Sequence, residues 1–164
     1  DALGASVFQR FGRLDILIGN AGVLGELSPA SHIAPKVWDE VMAVNATANY
    51  RLLRSFDALL RQSDAGRAIF VSSGAVYKNL PYWSAYTASK AALEALVGAY
   101  AKEVANVSNV RANIVHPGVV ATAMRARAFP GEDQAELTKP SEITDVFVDL
   151  ASTDSPQGEL SRAL

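Results

Sequence analysis

Short, nearly all-apolar runs separated by long amphipathic stretches constrain this chain more than any other feature of its sequence. The runs are LDILIGN at 14–20, RAIFVSS at 67–73 and VRANIVHPG at 110–118. Such runs predict strands that are buried on both faces, as in parallel sheets. The long stretches between them predict helices that connect the strands as right-handed βαβ units. We therefore expect an α/β fold built on a doubly wound parallel sheet.

Glycine, proline and serine residues mark the expected helix ends. The first residues have the pattern of a helix that ends at Gly12, and a long helix is expected to begin at Pro35. Ser84 is a candidate N-cap for the next helix, and Pro140 is expected to start a helix that continues to residue 153. The tail at 154–164 is weakly patterned, so we assign no element to it.

The composition is that of one globular domain, over residues 1–164, that can bury a core. It is 49% apolar and 20% charged with a net charge of -2, which predicts neither nucleic acid nor a membrane surface as a partner. No apolar run reaches the roughly 18 residues of a membrane span. Cysteine is absent and His32 and His116 are the two histidines, so we expect no disulfide, no metal centre and a reducing, cytoplasmic location.

The stretch SAYTASKAALEAL places Tyr86 and Lys90 at i and i+4, so both lie on one helix face. An apolar stripe includes them and predicts a face that points to the core, with the members Tyr86, Lys90, Leu93, Val97, Tyr100 and Val104. A phenol becomes useful for proton transfer when a neighbouring ammonium lowers its pKa from the usual ~10. A half-buried tyrosine beside a solvated lysine has the same spacing, and the pair alone does not separate the two interpretations.

Small and hydroxyl residues follow each predicted strand, at 19–22, 72–74 and 116–118. Ligands of open parallel sheets bind beyond the carboxyl ends of the strands, so these segments are candidate ligand contacts. Ser73 ends its strand thirteen residues before Tyr86, and its hydroxyl could donate to a substrate oxygen. Each segment considered alone is equally typical of an ordinary turn.

Asn45 interrupts the apolar face of the helix that begins at Pro35. A buried amide must find hydrogen bonds, so Asn45 either ties its helix to a neighbouring loop or holds a water that passes protons to Lys90. The sequence leaves both roles open. His116 precedes a proline at a strand end, and we give it no catalytic role.

Taken together, N-A-G after a strand, Asn in the next helix, S-x12-Y-x-x-x-K and P-G-x-x-x-T resemble the single-domain short-chain dehydrogenases/reductases. The likeness covers about residues 10–150. The resemblance implies catalytic roles for Asn45, Ser73, Tyr86 and Lys90. It also implies that NAD or NADP is bound by Asn20, Ala21, Gly22, Tyr86, Lys90, Pro117, Gly118, Val119 and Thr122.

The roles that the resemblance implies differ from residue to residue. Tyr86 would be the general acid/base, Ser73 would orient the substrate oxygen, and Asn45 would support a proton relay. Lys90 would bind the nicotinamide ribose hydroxyls and help to lower the pKa of Tyr86. The implied reaction interconverts an alcohol and a carbonyl group of a small-molecule substrate by hydride transfer.

The chain departs from the family pattern at both ends. It contains no T-G-x-x-x-G-x-G turn, which in the family follows the first strand and binds the cofactor pyrophosphate. The chain therefore resembles a Rossmann-like domain without its first βαβαβ half, and the LDILIGN strand is expected to expose an apolar edge. QGELSRAL is a poor match to the final strand of the family.

The expected substrate pocket involves Val76, Tyr77, Tyr82, Trp83 and the segment 120–135, whose aromatic side chains suggest an apolar or ring-bearing substrate. Arg125 and Arg127 could attract an anionic group, although a solvated helix face is the preferred interpretation. One side of the helix that carries Tyr86 has small residues, which allow close approach of another helix; these are Ala88, Ala91, Ala92, Ala95 and Ala99. In the family that the chain resembles such helices build dimer and tetramer contacts, so we expect a homo-oligomer, with tight packing within one chain as the alternative.

Two other functional classes fit parts of the sequence. A non-catalytic Rossmann-like scaffold is the alternative that the missing phosphate turn favours. A nucleotide-sugar epimerase would share Y-x-x-x-K, but the N-A-G and P-G-x-x-x-T motifs argue against it.

Overall fold

A computed structural model describes residues 2–152 and 154–162 of the chain. In chain order the helices and strands are α1 (Ala2–Phe11), β1 (Ile16–Gly19), α2 (Pro35–Met42), a π-helical turn (Ala43–Thr47), α3 (Ala48–Arg61), β2 (Arg67–Val71), α4 (Ala75–Lys78), α5 (Ser84–Val104), β3 (Arg111–His116), α6 (Ala123–Ala128), α7 (Asp145–Ala151) and β4 (Leu160–Arg162). Short 3-10 turns lie at Ala30–His32, Gln134–Glu136 and Pro140–Ile143.

The strands form one parallel sheet in the order β1-β2-β3-β4. Its first three strands lie within the predicted apolar runs, so the α/β, Rossmann-like parallel fold is confirmed. The pairs Gly19 with Phe70 and Val71 with Val115 bring the carboxyl ends of these three strands to one edge of the sheet. This edge is where the predicted ligand contacts converge.

The fourth strand was not expected from the tail. Its position depends on side-chain amides rather than on an apolar pattern. Asn113 donates to the carbonyl of Pro156 (2.8 Å) and accepts from the N–H of Glu159 (2.9 Å). Gln157 accepts from the N–H of Ala112 (2.9 Å) and donates to a carbonyl of α5. The poor family match of this segment therefore did not indicate that the strand was missing.

Helices pack on both faces of the sheet. Ala68 and Phe70 of β2 contact the large core formed with α3 and α5, whereas Ile69, between them, packs with Val115 and Leu150 in the smaller core beneath α7. This alternation follows from the two-residue period of a strand. The predicted stripe on α5 is confirmed, because all six of its members are buried.

Strand β1 is covered on only one face by the described residues. Leu17 and Gly19 are buried, whereas Ile16 and Ile18 are 45% and 46% exposed. The reason is that α7 packs on β2 and β3, and the small core beneath it includes none of the described residues of β1. The prediction of a strand buried on both faces is therefore wrong for β1 within this chain.

The helix ends follow the sequence in part. Gly12 ends α1 with a φ of 74°, and Pro35 begins α2, as predicted. Ser84 does not cap α5 but is its first residue, and its buried hydroxyl lacks a hydrogen-bond partner among the described residues. The helix expected from Pro140 is a 3-10 turn followed by α7, and its expected last residue, Thr153, lies outside the described residues.

Candidate active site

A cleft of about 460 Å³ opens at the carboxyl ends of β1, β2 and β3. Most of the predicted site residues line it, namely Asn20, Ala21, Gly22, Ser73, Tyr86, Lys90, Pro117, Gly118 and Thr122. Two predicted residues do not. Asn45 is fully buried behind the cleft, and Val119 lies outside the lining with a partly exposed side chain.

Tyr86 and Ser73 face each other across this cleft. Tyr86 lies in the first turn of α5 and is buried, and burial raises the pKa of its phenol because it disfavours the charged form. The Ser73 hydroxyl lowers that pKa and opposes the effect only in part. The net direction is opposite to the lowering expected from a neighbouring ammonium, since desolvation dominates here.

Lys90 is buried as well, with 3% of its surface exposed. Its Nζ donates to the carbonyl oxygen of Val71 at 2.8 Å and lies 5.9 Å from the centroid of the Tyr86 ring. Desolvation lowers the pKa of Lys90 to about 8, although the negative charge of Glu94 acts in the opposite direction. The interpretation of a solvated lysine beside an ordinary tyrosine is therefore wrong.

Asn45 ties the π-helical turn to the segment after β1. Its Oδ1 accepts from the N–H of Val23 at 2.8 Å, and its Nδ2 donates to the carbonyl of Val23 and to Ser89 Oγ, both at 2.9 Å. These bonds correspond to the first of the two roles left open by the sequence. A role in a proton relay stays a prediction.

The segment after β1 approaches the buried polar groups closely because Gly22 has no side chain. A Cβ atom at Gly22 would lie 3.4 Å from Lys90 Nζ and 3.5 Å from Asn45 Oδ1. On the other side of the cleft, Gly118 has a φ of 79°, a conformation that glycine adopts most easily. Gly22 thus adds no side chain beside the Lys90 ammonium, on the side of the cleft that a ligand would occupy.

Glu94 is a polar residue of this region that the sequence analysis missed. Its carboxylate is bonded to Ser72, Tyr77 and His116, so His116 belongs to a hydrogen-bonded network next to the cleft. Glu94 follows Lys90 by four residues and therefore extends the face of Tyr86 and Lys90. That spacing could have identified Glu94, but the apolar stripe continues from Lys90 to Leu93, so the position of Glu94 was not considered.

An aromatic wall borders the cleft opposite the sheet. Trp83 lines the cleft, with its ring centroid 5.8 Å from that of Tyr86 and 5.7 Å from that of Phe129. The guanidinium of Arg125 lies 3.7 Å from the Phe129 ring centroid and forms two hydrogen bonds with Glu132. Arg125 is thus part of the cleft wall rather than of a solvated helix face.

The other predicted pocket residues lie elsewhere. Val76, Tyr77 and Tyr82 do not line the cleft, and the two tyrosines are exposed. Arg127 donates to the carbonyl of Gly25 at 2.9 Å. Within residues 2–152 and 154–162, no cluster of three or more acidic or histidine side chains could hold a metal ion. In the same residues, no helix combines the length and the apolar character needed to cross a membrane.

A parallel sheet with helices on both faces, and a cleft at the carboxyl ends of its strands that a serine, a tyrosine and a lysine line, define a Rossmann-like α/β class of protein. The profile of the short chain dehydrogenase family matches residues 1–133. The chain therefore belongs to the short chain dehydrogenase family, as the motif resemblance predicted.

Individual relatives agree with this assignment. The uncharacterized oxidoreductase YciK of Escherichia coli K12 is 39% identical over 153 residues, which cover 93% of this chain and 60% of the relative. The crystal structure of E. coli YciK matches with a TM-score of 0.92 and 36% identity, over 99% of this chain and 66% of that one. A short chain dehydrogenase of Shigella flexneri 2a, complexed with NADP, matches with a TM-score of 0.93 and 35% identity over 68% of its length. This chain thus spans about two thirds of these proteins.

Proposed function

We propose that the protein containing this chain is an NAD(P)-dependent oxidoreductase that interconverts an alcohol and a carbonyl group, with Tyr86 as general acid/base. The observation that carries the proposal is that Tyr86 and Ser73 line one cleft, which also holds the buried ammonium of Lys90. A phenol and a hydroxyl that meet in this way can both contact one substrate oxygen.

A nicotinamide cofactor fits the residues that are present. Gly22 and Gly118 line the cleft without side chains, Gly22 does so beside Lys90, and the S. flexneri relative is complexed with NADP. In this proposal Asn20, Ala21 and Gly22 contact the adenosine side and Lys90 the ribose hydroxyls. Pro117, Gly118, Val119 and Thr122 contact the nicotinamide end. The bound nicotinamide supplies the hydride chemistry.

The proton chemistry belongs to Tyr86. Because burial raises its pKa, the phenol stays protonated at neutral pH and can donate its proton to the oxygen of a carbonyl that is being reduced. The Ser73 hydroxyl donates a second hydrogen bond to the same oxygen and holds it in place. Alcohol oxidation needs the phenolate, so we infer that carbonyl reduction is favoured at neutral pH and that oxidation accelerates as the pH rises.

The substrate side of the cleft favours an apolar or ring-bearing compound. Trp83, Met124 and Ala128 contribute apolar surface. The positive charge of Arg125 is matched by the Glu132 carboxylate and covered by Phe129, so it offers little attraction to an anionic substrate.

One observation supports the alternative of a non-catalytic scaffold. The chain has no glycine-rich pyrophosphate turn, so the segment by itself lacks the helix N-terminus that binds phosphates in this fold. For the protein that contains this chain, the grouping of Ser73, Tyr86 and Lys90 favours the enzyme.

The deciding experiment uses the intact protein with NADH or NADPH and a panel of aromatic and aliphatic aldehydes, ketones and alcohols. The absorbance of the reduced nicotinamide reports turnover, and fluorescence reports cofactor binding. We expect saturable cofactor binding and turnover of at least one aromatic carbonyl compound. Cofactor binding with no turnover in either direction would favour the scaffold.

The small-residue side of α5 also supports the proposal that the protein forms a homo-oligomer. Ala95 and Ala99 on this side are exposed in the single chain. Small side chains allow two helices to approach closely, so the same side of a second copy fits there. Light scattering of the intact protein tests this directly, and a monomer at micromolar concentration would contradict it.

A further inference from the structure

We propose that Glu94 is a positioning residue that fixes the segments carrying Ser73, Lys90 and Pro117 relative to one another. Its Oε1 accepts a hydrogen bond from Ser72 Oγ at 2.5 Å and lies 2.7 Å from His116 Nε2. Its Oε2 accepts a hydrogen bond from the Tyr77 hydroxyl at 2.6 Å. One carboxylate therefore connects α5, the end of β2, α4 and the end of β3.

Each partner of Glu94 is adjacent to a part of the cleft. Ser72 directly precedes Ser73, which lines the cleft together with Tyr86. His116 directly precedes Pro117, where the turn after β3 begins. Glu94 itself lies one helical turn after Lys90. A displacement of any of these segments would change the distances on which proton transfer depends.

Burial makes the hydrogen bonds of Glu94 hard to replace. The side chains of Glu94 and His116 are only 12% and 5% exposed, so water replaces few of their hydrogen bonds when a partner is removed. Ser72 is buried too, and the ring of the exposed Tyr77 lies 5.5 Å from the His116 ring. Bonds to an ionised carboxylate are short and directional, so they define positions more sharply than apolar contacts do.

Glu94 acts on the geometry of the cleft, and the expected effect on turnover rests on the proposed function. Glu94 does not line the cleft and makes no contact there with a reacting group. It acts through the residues next to its partners. A residue of this kind should affect kcat and local backbone order more than it affects the overall stability of the fold.

The test uses Glu94→Gln in the intact protein, with Glu103→Gln as the matched control, since Glu103 is exposed on the same helix. The amide of glutamine offers one acceptor oxygen where the carboxylate offers two. We expect hydrogen exchange in peptides covering 72–77 and 116–120 to accelerate by about tenfold, with exchange in α3 unchanged. We expect kcat for benzaldehyde reduction by NADPH to fall by about tenfold, with the KM for NADPH changed by less than about threefold.

A graded series keeps the proposal testable if Glu94→Gln does not fold. Ser72→Ala and Tyr77→Phe each remove one hydrogen bond, and we expect Ser72→Ala to have the larger effect because Ser72 is buried and adjoins Ser73. Unchanged exchange in both peptides would overturn the proposal. Faster exchange with unchanged kcat would overturn its catalytic part. Faster exchange in a protein whose wild type has no turnover would support the positioning and contradict the proposed function instead.

Discussion

The ammonium group of Lys90 donates a 2.8 Å hydrogen bond to the carbonyl oxygen of Val71, the last residue of β2. This bond connects α5 to the strand whose end carries Ser73. The lysine is therefore held by the backbone, and its charge lies beside Tyr86 rather than in solvent. The relative positions of the phenol, the ammonium and the serine hydroxyl are thus set by one helix and one strand.

The lowered pKa of Lys90 predicts a specific pH dependence of stability. The folded protein releases this proton at about pH 8 and the unfolded chain near 10.5, so the penalty for burying the charge is fully present below pH 8 and disappears as the pH rises to 10.5. Lys90→Met removes this penalty together with the hydrogen bond to Val71, so its stability relative to wild type should fall by up to about 3 kcal/mol as the pH rises from neutral to 10.5. Urea unfolding of both proteins at neutral and alkaline pH measures the difference, and a difference independent of pH would contradict the prediction.

Asn45→Ala should destabilise the protein because the substitution removes the side-chain partner of the Val23 N–H and carbonyl and one of the two partners of Ser89. Three hydrogen bonds are lost in a buried region, and buried unpaired groups cost about 1–3 kcal/mol each, so we expect a loss of about 3 kcal/mol in the free energy of unfolding. Asn106→Ala, at an exposed position, is the control. Similar urea midpoints for the two variants would show that the hydrogen bonds between Asn45 and Val23 do not contribute to stability.

Two glycine-to-alanine substitutions should change the stability of the fold in opposite directions. A Cβ atom at Gly19 would overlap Asn49 and Phe70, and the overpacking should cost about 1–3 kcal/mol. A Cβ atom at Gly98, inside α5, meets no described atom within 4 Å, so alanine should stabilise the helix by about 0.5–1 kcal/mol. Thermal unfolding compares the pair. Equal shifts in the same direction would be inconsistent with the packing described.

The exposed apolar surface beside β1 predicts the behaviour of the segment 1–164 when it is expressed alone. Ile16 and Ile18 are exposed on the open face of this edge strand, and Phe8 and Phe11 are exposed on α1. Unpaired strand edges with apolar side chains promote association. We expect aggregation by light scattering and weak, unsaturable NADPH binding by fluorescence. A monomeric segment that binds NADPH saturably would contradict this prediction.

The strands and the face of α5 could be predicted because their signals are local. The three apolar runs and the stripe from Tyr86 to Val104 are periodic patterns within single elements. The exposure of Ile16 and Ile18 could not be inferred from such a run, since burial depends on which helices cover the sheet.

The other features that the sequence did not predict depend on hydrogen bonds between residues that are distant in sequence. Strand β4 is held by Asn113 and Gln157, whose partners lie more than forty positions away. Likewise, the hydrogen-bond partners of the Glu94 carboxylate come from the end of β2, from α4 and from the end of β3. The predicted lowering of the Tyr86 pKa was wrong because the sequence shows the nearby ammonium but does not show how completely the phenol is desolvated.

The most direct test of the account is the Tyr86→Phe variant of the intact protein. The substitution removes only the hydroxyl, so the ring contact with Trp83 can remain. The account predicts that turnover of an aromatic aldehyde with NADPH falls by a factor of about 100 or more, while the Kd for NADPH changes by less than about threefold. Turnover retained at the wild-type rate, with cofactor still bound, would contradict the assignment of Tyr86 as the proton donor.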